Sequence, residues 1–394
     1  MSSRRLVPTL QVVSLASSMG YGVMFTVLDD FRDEYGIPES SLGLLVALGF
    51  FTSFAAQILI APLADKGHAR RLVMLGAWIE AIGTLGMAFG TNFTVLALSR
   101  FLMGVGAGAA LPAVRRIVVQ SDRENMGRNL GRILSFDVAG FATGPVLSAI
   151  LADTVGFGAP FIIVAGALLI LGLLVARLEV PETAEELRTD KRLAFDLLRV
   201  KPLAGAIFIG VALFLMIGTF DATFVVMMDD LGAANWMSNV GITAFALPLV
   251  FLGPVGGRLT QHVGPFVAAS TGILFGAIFM TSYGFLTVPL IILTIGLFHG
   301  IVDGLTVTGS GMAVSMVAPP ERLAGAQGLM GGLQTLVGGV AAALAGLNYE
   351  HLGRTVTFSV AAGLMVTLVA VGLLLAGGAV RSTSPRFHKH TVTS

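Results

Sequence analysis

The chain has 394 residues, of which 55% are hydrophobic and only 12% charged, and its mean hydropathy is +0.86. A soluble domain carries about 25% charged residues, so this composition excludes an ordinary soluble core and points to a membrane protein. A net charge of +1 makes no case for nucleic acid, and the lack of Cys excludes disulfides and thiol ligands.

A transmembrane helix needs about 20 predominantly apolar residues. Reading such segments in chain order predicts twelve. The first half holds 6–28, 41–61, 72–90, 93–114, 130–152 and 159–177; the second holds 204–228, 238–257, 266–285, 288–316, 324–347 and 355–379. The opening run follows Arg4 and Arg5 and is too long for the apolar region of a signal peptide, so it reads as a retained span. The expected organisation is an all-α integral membrane protein. It has a six-helix bundle over 1–176, a cytoplasmic linker over 177–203, a second bundle over 204–380 and a cytoplasmic tail over 381–394.

The linker is the one long stretch dense in charge, with six basic and six acidic residues between Arg177 and Lys201. Leu187, Leu193, Phe195, Leu197 and Leu198 predict that part of it lies as an interfacial helix on the membrane surface. Lys and Arg set orientation by their bias to cytoplasmic loops. With the N-terminus inside, the outer loops hold only Arg32 and Arg354, Arg100 lies within a span, and the other 21 of the 24 fall inside. Both termini are therefore expected in the cytoplasm, in a plasma (inner) membrane.

The halves repeat one another. Span one ends Val27-Leu28-Asp29-Asp30 and span seven ends Met227-Met228-Asp229-Asp230. Span two ends Ala61-Pro62-Leu63-Ala64-Asp65-Lys66 and span eight ends Gly257-Arg258-Leu259-Thr260-Gln261-His262. The loop Asp122 to Gly131 matches Pro319 to Gly328. Three matches in one order indicate a duplicated six-helix unit. Six spans is an even number, so the repeats are parallel.

At these residues the chain resembles the major facilitator superfamily. That family's loop motif, Gly-x-Leu-Ala-Asp-Arg-x-Gly-Arg-Arg, appears as Ala61-x-Leu63-Ala64-Asp65-Lys66-x-His68-Ala69-Arg70 followed by Arg71, with both glycines replaced. Arg100-x-x-x-Gly104-x-Gly106-x-Gly108 resembles the motif holding a buried arginine. Gly140-x-x-x-Gly144-Pro145 resembles the motif of proton-coupled antiporters, chiefly drug exporters. The resemblance implies two pseudo-symmetric six-helix bundles and a conformational latch at Asp65, Lys66, Arg70 and Arg71. Physically, a carboxylate at that turn can meet a neighbouring helix N-terminus, where the dipole favours anions; an ordinary positive-inside loop is the other reading. Gly104, Gly108, Gly140 and Gly144 permit close helix approach and Pro145 favours a bend, through packing or through gating.

Ionisable groups deep in spans carry the functional reading, because each charge costs about 2.5–3.5 kcal/mol at the bilayer centre on insertion scales. They are Glu80, Arg100, Asp137, Asp221, His299 and Asp303. His299 and Asp303 are four apart and share a helix face; they read as a proton-coupling pair or as a satisfied polar knot. A carboxylate that alternates between wet and dry surroundings can load and release a proton. Asp221 reads as a site for a proton or cation, and Arg100 as an anion partner or a fixed counter-ion. Asp137 reads as a coupling group or a helix–helix hydrogen bond, and Glu80 as a snorkelling or structural carboxylate. Candidates for lining a cavity are Gln11, Ser14, Ser18, Tyr21 and Gln57, with Phe214, Phe220 and Phe224.

The sequence thus predicts a proton-coupled secondary transporter that exports small organic or lipophilic compounds. The expected partners are a small-molecule substrate, protons and lipid, with no cofactor, no metal and no nucleic acid, and a monomeric chain. An importing symporter or uniporter is the alternative within transport. No phosphate-binding loop, metal-spaced His helix or nucleophile elbow is present, which disfavours ATP-driven transport and a polytopic enzyme. A non-transporting membrane sensor would need an output domain larger than 381–394.

Overall fold

A computed structural model describes residues 5–384, without the side chains at 25, 26, 28–30, 39, 40, 153, 235, 238–240 and 242. Arg4, Arg386, Lys389 and the side chains of Asp29 and Asp30 therefore lie outside the described residues. Spans one to six are Leu6–Thr26, Glu39–Leu59, Ala69–Phe89, Phe93–Ser121, Met126–Val155 and Ala159–Ala176. Spans seven to nine are Lys201–Asp230, Asn235–Val263 and Pro265–Phe285, and span ten runs through Pro289–Thr306 and Thr308–Val317.

Eleven helices among the described residues are long and apolar enough to cross a membrane. The last of them, Pro320–Ala376, has 57 residues. At 1.5 Å per residue it would extend about 85 Å, more than twice a hydrocarbon core of about 30 Å. It breaks at Gly353, whose φ of 79° and ψ of 172° belong to a region open essentially to glycine. Counted as two spans, eleven and twelve, it brings the total to twelve. The protein is a multi-pass, all-helical membrane protein.

Two departures from the sequence expectation have physical causes. Span one stops at Thr26, and a short helix, Leu28–Tyr35, follows and closes on left-handed Gly36. Its Phe31 is fully buried and rings with Phe157 and Phe161 at centroid distances of 6.2 and 6.4 Å. The linker forms no interfacial helix: only the single 3-10 turns Glu185–Leu187 and Phe195–Arg199 occur. Leu187 and Phe195 stay exposed while Leu197 is buried. The stretch is instead pinned by point contacts, in which its carbonyls and Glu182 serve neighbouring helices rather than each other.

The chain forms two compact units. Unit one contains the chain up to Arg123, Phe136–Ala194 and Pro319–Gly332; unit two contains Glu124–Ser135, Phe195–Ala318 and the chain from Leu333 onward. The first turns of spans five and eleven thus belong to the unit formed mainly by the other sequence half.

Glycine sets helix spacing in unit one. A Cβ on Gly104 or Gly108 would strike the backbone of span two at Gly49 or Ser53, and one on Gly106 would strike span three at Gly76. Alternate glycines thus let span four touch two neighbours on opposite sides. Gly140 and Gly144 likewise bring span five onto the backbone of span one at Leu15 and Gly22.

Candidate functional site

Three clusters gather the ionisable residues. The first stands at the end of span two, where the turn Ala61–Lys66 buries Asp65. Asp65 Oδ1 accepts the Ala324 N–H at 2.9 Å and Oδ2 accepts the Gly325 N–H at 2.7 Å. These are orphan donors in the first turn of the helix that begins at Leu323, and the dipole there favours the carboxylate. Arg116 Nε lies 3.3 Å from Asp65 Oδ1, and the Arg116 side chain is fully buried.

The linker completes this cluster. Arg116 donates to the Pro181 carbonyl at 2.9 Å and to Thr183 Oγ1 at 2.6 Å. Glu182 accepts the N–H groups of Ala69 and Arg70 at 3.0 and 2.9 Å, capping the start of span three. Lys66 donates to the Asp190 carbonyl at 3.4 Å and Arg322 to the Leu193 carbonyl at 2.9 Å. Arg70 and Arg71 are exposed; the structure puts Arg116 beside Asp65 in their place. Gly104, Gly108, Pro112 and Arg116 recur every four residues on one face of span four. That spacing was the available signal for Arg116.

The second cluster lies inside unit one. Arg100 is fully buried, and its guanidinium carbon sits 4.3 Å from the Tyr21 ring centre and 6.0 Å from that of Phe50. None of its three guanidinium nitrogens has a hydrogen-bond partner. Span two makes room for it at Gly49, where a Cβ would overlap the guanidinium. Glu80, 1% exposed, meets Ser17 Oγ with both carboxyl oxygens, at 2.7 and 2.9 Å.

Span one carries Gln11, Ser14, Ser18 and Tyr21 along one face, a spacing of three and four. Ser14 and Ser18 stand beside Asp137 of span five. Gln11 Nε2, Ser14 Oγ, Tyr21 OH and Asp137 Oδ1 are all buried without a hydrogen-bond partner. Gln57 sits apart, near Ser53 and against Gly328 and Gly331.

The third cluster fills unit two around His299. The imidazole lies 4.9 Å from the Phe279 ring centre and 5.2 Å from that of Phe245. His299 Nδ1 is 3.1 Å from the Tyr283 hydroxyl. Nε2 is 3.2 Å from Met216 Sδ and 3.7 Å from Asp303 Oδ2. Phe220 stacks on Phe224 and Phe245 at 4.8 and 5.0 Å, and both Phe220 and Phe224 are buried. Phe214 is outside this stack, beside Gly338. Asp303, Thr306 and Ser310 line a cavity of about 10 Å³, room for about one water. Asp221, next to Phe220 on span seven, is exposed.

A fourth arrangement mirrors the first. Gln261, the repeat counterpart of Asp65, accepts the Gly127 N–H at 3.0 Å and donates to the Glu124 carbonyl at 2.7 Å. A Cβ on Gly127 or Gly131 would strike the backbone of Gly257 or Gly253. Among the described residues no group of three or more His, Asp or Glu is placed to hold a metal ion.

Comparison with known proteins bears on this arrangement. A family model described as Major Facilitator Superfamily matches residues 10–240 and 206–391. Quinolone resistance protein NorA of Staphylococcus aureus is 32% identical over 164 residues, 40% of each chain. Multidrug resistance protein MdtG of Salmonella schwarzengrund is 30% identical over 170 residues, 42% of each. The aligned region thus spans about two fifths of these relatives. The crystal structure of the human organic anion transporter MFSD10 superposes with a TM-score of 0.76 at 16% identity, covering 94% of this chain and all of that one. The proton:xylose symporter XylE gives 0.75 at 11% identity, covering 95% and 97%. At such identities these two structures establish the shared fold.

Proposed function

The chain belongs to the Major Facilitator Superfamily, and from that premise we propose that it is a secondary transporter working by alternating access, which exports small lipophilic organic compounds in exchange for protons. The observation that carries this reading is the buried His299–Asp303 pair on one face of span ten. A carboxylate held in apolar packing beside a water-sized cavity has the surroundings a proton carrier needs. The names of the relatives from Staphylococcus and Salmonella, quinolone and multidrug resistance, support the direction and the substrate class.

In this reading Asp303 carries the proton, His299 orients it, and Asp221 and Asp137 are further sites for a proton or a cationic substrate. On the polar face of span one, Gln11, Ser14 and Tyr21 supply hydrogen-bonding groups that lack protein partners here. Asp65 and Arg116 form the latch, holding the first turn of the helix from Leu323 in one of the alternating states. Lys66 and the linker brace it. Both termini lie in the cytoplasm, the chain sits in the inner membrane, and it works as a monomer.

Proteoliposomes with an imposed pH gradient, loaded with ethidium or norfloxacin as probes, test the assignment. Wild type should drive probe uphill, whereas Asp303→Asn should retain only downhill exchange. Uphill transport by Asp303→Asn at the wild-type rate would overturn it.

A further inference from the structure

Glu80 and Arg100 are opposite charges, both at most 1% exposed, that do not pair. Arg100 rests on the rings of Tyr21 and Phe50, with every guanidinium nitrogen unpartnered. Leaving two buried ions apart is costly, because each ion is desolvated without the attraction that would offset it. The two nonetheless meet adjacent turns of span one, Glu80 at Ser17 and Arg100 at Tyr21, four residues apart on one helix face.

The contact between Glu80 and Ser17 resolves this. An ionised carboxylate only accepts, and a serine hydroxyl has a single hydrogen to give. Ser17 Oγ lies 2.7 Å from one carboxyl oxygen and 2.9 Å from the other. Both contacts are full hydrogen bonds when the carboxyl carries a proton: Ser17 donates to one oxygen, and the Glu80 hydroxyl donates back to Ser17 Oγ. Among the described residues the charged and titratable groups next to the Glu80–Ser17 contact are Tyr21, one turn further along span one, and Arg100 of span four, stacked on Tyr21. Span six, which also packs on span three, has none. Asp65, Lys66 and Glu182 stand at the start of span three, about 16 Å along the helix from Glu80.

We infer that Glu80 is a second proton-carrying site of the transporter, distinct from Asp303 and located in unit one. It holds its proton while Arg100 is stacked on Tyr21 and Phe50. When the guanidinium leaves those rings and reaches the carboxyl, the Glu80 O–H bond breaks, the proton passes to water, and a neutral ion pair remains. The charge of the Glu80–Arg100 site thus alternates between +1 and zero. Tyr21 and Phe50 act as the resting place that keeps the guanidinium off Glu80 by cation–π attraction. The inference builds on the proton-coupled reading above, and its first test does not depend on transport.

Infrared difference spectra of the purified full-length protein, wild type minus Glu80→Gln, should show the carbonyl stretch of a protonated carboxylic acid. In Ser17→Ala, which keeps the carboxyl, that stretch should move to higher frequency as its hydrogen bonds are lost. An ionised-carboxylate band in the difference, or no shift in Ser17→Ala, would overturn the inference. In proteoliposomes, Glu80→Gln should exchange one proton fewer for each ethidium moved the other way, lowering accumulation about tenfold for each unit of pH gradient, the equivalent of about 1.4 kcal/mol. Accumulation equal to wild type in Glu80→Gln, with Asp303→Asn reduced to downhill exchange, would refute the second site and leave the first standing. Ethidium accumulation by wild type that ignores the pH gradient would sink the proton-coupled reading and this one's transport role together, while the infrared result reports the proton on Glu80 regardless.

Discussion

Asp65 and Gln261 occupy matching places in the two repeats, and each reaches the first turn of a helix from the opposite half of the sequence. Asp65 accepts two backbone N–H groups and faces a buried arginine. Gln261 accepts one N–H and returns a donor to a carbonyl. A hydrogen bond to a charged group contributes about 1.5–3 kcal/mol and a neutral one about 0.5–1.5. The same geometry is therefore strong and charge-dependent in unit one and weak and neutral in unit two. The two repeats share the contact and differ in its strength.

The largest expected effect comes from Asp65→Asn, which leaves Arg116 buried without its counter-ion and should cost about 3–5 kcal/mol, read as a fall in thermal stability with loss of transport. A double variant, Asp65→Asn with Arg116→Met, sharpens the comparison. Removing both charges should recover about 0.5–3 kcal/mol relative to the sum of the single changes, and strict additivity would show that the two groups do not interact. Next, Gln261→Ala should cost only about 1 kcal/mol. A loss as large as that of Asp65→Asn would break the asymmetry. Smallest is Glu182→Ala, which removes the cap on Ala69 and Arg70 for about 0.5–2 kcal/mol; hydrogen exchange at those two amides should rise while the amides at Ala324 and Gly325 stay protected.

Asp65 and its counterpart were legible because a polar turn repeated at the same place in both halves is rare in an apolar chain. The twelve spans were legible for the same reason: hydropathy is summed over about 20 residues and tolerates local error. Partners were harder to read. Arg70 and Arg71 are close to Asp65 in sequence, yet Arg116, 51 positions away, is the ion-pair partner, since a helix face and not chain distance decides contact. The linker's leucines suggested an amphipathic helix, but its backbone groups are taken by Lys66, Arg116 and Arg322. Glu80 read as a snorkelling or structural carboxylate because the third span of each unit is usually peripheral in the fold the sequence resembles. Only packing shows that Ser17 of span one reaches it.

The central claim, proton exchange through Asp303, is tested most directly by proton release on substrate binding. Ethidium added to the purified protein in lightly buffered solution should release protons from wild type and at least one fewer from Asp303→Asn, as followed with a pH-indicator dye. Equal release from both proteins, or none from wild type while ethidium binds, would contradict the account.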